Sequence, residues 1–204
     1  MKTLSLFAVL LASAVTTFAA TITIASTTVN GTDVFSGPSL TLTSPVASTD
    51  TLTLTASGQI FLQGNGIFGT NPAGVLTTAG SSPVGASLAN GSTNFGSLLL
   101  GNSTLGFVQV YPTNTANGLG SATPPSTLTV TNVSFASLGL NTAMPAGTVL
   151  QFRISDTNTS DNFGSFTVSG SINTASVSGV PEPGSISMLL MGLAGFGGFR
   201  YRRR

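Results

Sequence analysis

The stretch Asp50-Thr51-Leu52-Thr53-Leu54-Thr55-Ala56-Ser57-Gly58 alternates hydroxyl and apolar side chains residue by residue. A period of two puts Leu52, Leu54 and Ala56 on one face and the threonines on the other, which suits a half-buried strand and no helix. The same alternation recurs outward from it, in Leu40-Thr41-Leu42-Thr43, in Leu128-Thr129-Val130-Thr131 and from Val149 to Ile154. Further apolar runs at Gln59 to Leu62, Leu98 to Leu100, Phe107 to Tyr111 and Phe166 to Ile172 are bounded by Gly, Pro or Asn. The body shows no sustained helical period. Roughly eight to ten short strands with turn signals between them predict an all-β fold, an antiparallel β-sandwich or jelly roll.

Ser and Thr number 58 of 204 residues and Gly adds 25, a composition that alone would suit a disordered stalk; the alternation decides against it. A body of this size buries about two-thirds of the surface its unfolded chain exposes, so it can fold without disulfides. The chain has no His, no Cys and no Trp. That excludes Ser-His-Asp and Cys-His nucleophiles, imidazole or thiolate zinc sites and a disulfide scaffold. The expectation is therefore a protein that is not an enzyme. The 11 charged residues are segregated: between Ala20 and Val180 only Asp33, Asp50, Asp156, Asp161 and Arg153 occur, a net charge of −3. Counterion release needs clustered Lys or Arg, so no nucleic-acid partner is expected.

The two ends read as processing segments. Lys2, the apolar run Leu4 to Val15 and the small-x-small triplet Thr17-Phe18-Ala19 predict a secretory signal helix over residues 1–19, removed by signal peptidase. The body is expected over 20–179 and a sorting tail over 180–204. That tail has three parts: Pro181-Glu182-Pro183, an uncharged stretch from Gly184 to Phe199, and a cluster of Arg200, Arg202, Arg203 and Arg204. Sixteen helical residues reach about 24 Å, which snorkelling arginines extend toward a 30 Å hydrocarbon core. By the positive-inside rule the arginines stay cytoplasmic and the body lies outside. In this order of parts, Val180 to Arg204 resembles the PEP-CTERM sorting signal of exported bacterial proteins, a tail also labelled ice-binding protein C-terminal domain. The resemblance implies a transient inner-membrane anchor through a transmembrane sorting helix. It also implies recognition and release near Pro-Glu-Pro by an exosortase-type membrane enzyme, and a destination at the cell surface or in an exopolysaccharide-containing matrix.

One loop of the body carries chemistry. Asp156, Asn158, Ser160, Asp161 and Asn162 concentrate hard oxygen ligands of the kind Ca²⁺ prefers. A solvated Asx-rich hairpin turn is the other reading. The segments from Asp50 to Gly58, Phe95 to Asn102 and Arg153 to Phe166 resemble calcium-dependent galactose-binding bacterial lectins. That resemblance implies Asp156, Asp161 and Asn162 as metal ligands, backbone carbonyls near Thr159 and Leu62 completing the shell, and a carbohydrate such as exopolysaccharide as partner. The family's sugar contacts include a His that this chain lacks, so the sugar-binding residues are not identified. Arg153 is the body's sole cation and reads as an ion pair or hydrogen bond to the Asp156 loop, or as a ligand contact. The Thr-x-Thr runs at Thr41/Thr43, Thr51/Thr53/Thr55 and Thr127/Thr129/Thr131 raise an ice-binding alternative, against ordinary solvent-facing threonine. The third alternative is a structural or adhesive matrix protein without a ligand.

Overall fold

The computed structural model describes residues 19–62, 68–77, 85–88, 91–157 and 160–175. Residues 1–18 of the signal segment, Asn158, Thr159 and the whole sorting tail, with Pro181, Glu182, Pro183, Arg200, Arg202, Arg203 and Arg204, lie outside the described residues. Ala20–Ala175 form one compact unit. Among the described residues eleven strands follow in chain order: β1 (Thr21–Asn30), β2 (Ser39–Thr41), β3 (Thr51–Leu62), β4 (Phe68–Thr70), β5 (Gly85–Leu88), β6 (Gly91–Asn94), β7 (Leu98–Asn102), β8 (Gly106–Gln109), β9 (Thr127–Ser134), β10 (Val149–Ile154) and β11 (Phe163–Asn173). The only helix among the described residues is the 3₁₀ turn Thr115–Asn117.

All pairings are antiparallel. One sheet runs β1-β11-β3, with β4 and β9 both pairing β3 along different stretches; the other runs β2-β10-β7-β8; β5 and β6 form a separate hairpin. Setting aside the short strands β4 to β6, the eight that remain lie in the order first, eighth, third, sixth in one sheet and second, seventh, fourth, fifth in the other. Chain-adjacent strands therefore alternate between sheets except at the β7-β8 hairpin, which is the double Greek key of a jelly roll. The all-β expectation holds.

The alternation in β3 lands as expected. Leu52, Leu54 and Ala56 are buried while Thr51, Thr53 and Thr55 face outward. β10 repeats it, with Leu150, Phe152 and Ile154 inward and Val149, Gln151 and Arg153 outward. These inner rows join those of Ile22, Leu98, Leu100, Phe166, Val168 and Ile172 in a single hydrophobic core between the sheets. Hydrophobic burial from both sheets thus fixes the strand ends from which the loops spring. Gly58 sits at φ +117, where a Cβ would come within 2.3 Å of the Ser165 carbonyl. Only glycine lets β11 approach β3 there.

Buried polar groups are tied locally. Asn71, fully buried, accepts from the N–H groups of Ala73 and Val75 and donates through Nδ2 to the carbonyls of Asn117 and Pro125. Asp50 accepts from Ala47 N at 2.8 Å and Ala175 N at 2.7 Å, and so fastens the end of the body to the start of β3.

Tyr111 is buried, and its hydroxyl donates to the Leu54 carbonyl at 2.9 Å. Burial pushes this phenol well above its ordinary range, with a hydrogen bond from the Ala56 backbone pulling it partly back. The folded state therefore holds the proton more tightly than the unfolded chain. Stability from Tyr111 is intact below the unfolded value of about 10 and falls as pH rises beyond it. Melting temperature followed from pH 8 to 12 should drop above about pH 10 in the native chain. In Tyr111→Phe that alkaline drop should be shallower; an identical slope would contradict the assignment.

Candidate functional site

Four strand ends meet at one end of the sandwich. The Asn30–Asp33 turn follows β1, Leu62 closes β3, Ile154 closes β10 and Phe163 opens β11. The turn is stitched to its neighbours by Gly31 N to Gly164 O at 2.9 Å and Ile154 N to Asp33 O at 2.9 Å. Asp33 does not reach out of its turn: its Oδ2 accepts from Asn30 N at 2.7 Å. This is local Asx chemistry.

Asp156 and Asn162, both buried, come together across the loop they bracket. Asn162 Nδ2 donates to Asp156 Oδ2 at 2.5 Å and to the Gly31 carbonyl at 3.3 Å, while Asp156 Oδ1 accepts from Thr157 N at 2.6 Å. Asp161 is half-buried; its Oδ1 is shielded from solvent and accepts no hydrogen bond. Two of the expected ligands are thus in contact, and the third presents a buried oxygen without a donor. Register carries Leu62 to the level of Asn162, because Phe163 pairs with Phe61 one step earlier. Thr159 lies outside the described residues. Among those described, no three His, Cys, Asp or Glu side chains cluster as a metal site. A cation here would rest on two carboxylates plus neutral oxygens. The NH₂ end of Asn162 faces Asp156, and its amide oxygen is shielded from solvent.

Periodicity did not single out Phe61 and Phe163. Their rings stack at 4.7 Å between centroids with an interplanar angle of 10°, and Phe163 is 44% exposed. The signal was weak: Phe61 lies one residue before the end of β3 and Phe163 opens β11, and only the register brings them side by side.

Arg153 is not where the sequence suggested. It forms no ion pair with Asp156; its Nη2 donates to Gln151 Oε1 at 2.7 Å and its guanidinium lies 4.0 Å over the Phe107 ring. Strand alternation explains the correction, because Arg153 lies on the outer face of β10 whereas Asp156 is buried past the strand's end.

Two of the three threonine runs become neighbours. On the outer face of the first sheet, Thr28, Thr167, Ser57 and Thr127 fall in one cross-strand row. Ser169, Thr55 and Thr129 make a second row and Thr23, Ser171 and Thr53 a third. Thr55 and Thr129 share a hydrogen bond of 3.0 Å. Thr41 lies apart, in the second sheet. Thr131 drops out of the array where a register shift between Leu52 and Leu54 accompanies a φ of 53 at Asn132.

These features define a class: a jelly-roll body whose outer sheet faces carry hydroxyls and amides and, on β10, the single cation Arg153, followed by a short C-terminal segment of separate character. Residues 179–204 match the family model of the PEP-CTERM protein-sorting motif. The chain carries that motif, and the motif marks it as an exported protein addressed to an exosortase, with membrane-anchored sorting. No curated protein and no solved structure matches the chain. Among the described residues no helix is long and apolar enough to cross a membrane; the expected sorting helix lies outside them.

Proposed function

We propose that the exported body is a non-enzymatic carbohydrate-binding module of the cell envelope or extracellular matrix, with one Ca²⁺ held by Asp156, Asp161 and Asn162. The observation that carries this reading is Asp161 Oδ1, withdrawn from solvent without a donor in the same loop as the buried Asp156 carboxylate. Burying an unmatched carboxylate oxygen is costly, and a divalent ion would offset it. When bound, Ca²⁺ would organise the loop and offer open coordination positions to vicinal sugar hydroxyls. The Phe61–Phe163 stack, contiguous with Asn162, would give the apolar side of a pyranose ring an aromatic surface.

The acids support a role without catalysis. Asp33 and Asp50 are committed to backbone N–H groups. That leaves Asp156 and Asp161, and Asp156 is tied to Thr157 N and Asn162 rather than poised toward a water. A glycosidase needs two carboxyls free to exchange protons with substrate. Hydrolysis of matrix polysaccharide that disappears in Asp156→Asn would overturn this part of the reading.

The calcium test is a thermal melt of the full chain in detergent. At a calcium concentration of about 100 times Kd, a site present only in the folded state adds about 2.7 kcal/mol of stability. Asp161→Ala should abolish the increment. Equal melting temperatures in EDTA and in about 10 mM calcium, a saturating dose for an extracellular site, would remove the metal from the proposal.

The hydroxyl rows favour a second reading, in which the first sheet's outer face is itself the working surface, adhesive or ice-binding. Strands 4.7–4.9 Å apart, with same-face residues about 6.7 Å apart along each, make a regular uncharged lattice. Loss of ice-growth inhibition in Thr55→Lys would support it; no inhibition by the native chain would exclude the ice-binding form.

A further inference from the structure

We propose that the body carries a second ligand site, independent of calcium: a polar cleft on the outer face of the second sheet in which Arg153 receives the carboxylate of an acidic saccharide. The cleft, open to solvent, offers about 460 Å³ between Asn102, Ser103 and Thr104 at and after the end of β7 and Thr148, Val149, Gln151 and Arg153 at and before β10. That volume lies within the range of small-molecule sites. Its walls are hydroxyls, amides and one guanidinium, with Val149 as the single apolar residue, a lining that suits a polyol.

The site is built, not merely exposed. In register, Gln151 faces Gly101 and Gly101 faces Phe107. Gly101 carries no side chain between the two strands, and a Cβ there would come within 1.9 Å of the Gly106 carbonyl. The guanidinium can therefore lie across to the Phe107 ring, with Gln151 fixing one end of its fork. The opposite wall is held by Asn102. Its Oδ1 accepts from Thr104 N at 3.0 Å and Leu105 N at 2.8 Å, and its Nδ2 donates to the Val149 carbonyl at 3.0 Å. Turn and strand are thereby tied across the cleft.

Charge then selects the ligand. Arg153 is the sole cation from Ala20 to Val180 in a body of net charge −3, yet it is half-buried and has no carboxylate partner among the described residues. Its Nε is shielded from solvent and has no acceptor. The nearest acid in sequence, Asp156, is engaged elsewhere. A guanidinium stays charged even when burial lowers its pKa, as it does here, so the unmatched charge persists. Stacking on Phe107 and the hydrogen bond to Gln151 hold the fork in place without neutralising it. A carboxylate entering the cleft would supply the missing charge in the planar geometry a guanidinium prefers, with the surrounding hydroxyls and amides left for ring hydroxyls. This site shares no residue with the calcium loop, so neither proposal rests on the other.

The test is titration calorimetry of the full chain in detergent, in EDTA, with trigalacturonic acid and with neutral galactotriose. The acidic trimer is expected to bind, more weakly at high salt, and the neutral trimer at least about tenfold more weakly. Arg153→Gln should weaken the acidic trimer about tenfold or more. Ser103→Trp, which fills the cleft from an exposed turn position, should do the same at unchanged melting temperature and carries the test if Arg153→Gln unfolds. Absence of acidic-trimer binding, equal affinity for both trimers, or unchanged affinity in Ser103→Trp would overturn the site. Inorganic sulfate binding as tightly as the trimer would overturn the saccharide assignment. Because EDTA is present throughout, failure of the calcium site leaves these outcomes readable.

Discussion

Protein collected from the surface of its native cells is expected to end near Pro181-Glu182-Pro183, whereas Glu182→Ala is expected to remain membrane-bound with Arg204 still attached. The physical basis is the order of parts in the motif over 179–204. Two prolines flank Glu182, neither with a backbone N–H to donate, so the triplet's one charge sits between two imino acids. If the apolar stretch to Phe199 spans the membrane as its composition predicts, this triplet would lie at the outer surface with the arginines inside. Loss of the carboxylate should reduce the processed fraction about tenfold or more, equivalent to about 1.4 kcal/mol of recognition. Intact mass measurement reads both species. A native chain still ending in Arg204 in a strain with active exosortase would refute the processing step.

The second large effect is in the core. Phe152→Ala is expected to destabilise the body by about 3–5 kcal/mol, measured by urea unfolding, because truncating a buried aromatic loses transfer free energy and leaves a cavity. Phe152 is about 1% exposed and lies on β10 between two outward-facing cleft residues, Gln151 and Arg153. Its backbone is equally constrained: Phe152 N donates to the Pro38 carbonyl at 2.9 Å, and a Cβ on Gly37 would come within 2.0 Å of the Phe152 carbonyl. A total stability of roughly 5–15 kcal/mol leaves the variant close to unfolding. A loss below about 1 kcal/mol would mean that the two sheets do not share this core.

The sorting tail and the core were legible for different reasons. The tail is read in linear order, as a triplet, an apolar run and a basic end, and needs no partner from elsewhere in the chain. The inward rows of β3 and β10 were legible because strand period is local: Leu52, Leu54 and Ala56, like Leu150, Phe152 and Ile154, alternate with residues that tolerate water. Composition marked the oxygen-rich loop from Asp156 to Asn162, and the lectin resemblance singled out Asp156, Asp161 and Asn162 within it. What Asp156 touches was not legible, because its partner Asn162 also reaches Gly31, 131 positions earlier in the chain.

By itself, the sequence determined that the body is built of strands, that it lacks imidazole and thiol chemistry, and that it ends in a sorting motif. Each follows from composition or from short-range order. Only the tertiary structure decided that Thr55 and Thr129 adjoin, that Phe61 stacks on Phe163, that Asp50 fastens Ala175, and that Arg153 turns to Phe107 instead of Asp156. The reason is that strand periodicity specifies which way a side chain points, whereas its neighbours depend on which strands pair and in what register. Those choices are made collectively, by the burial of every inner row against one common core.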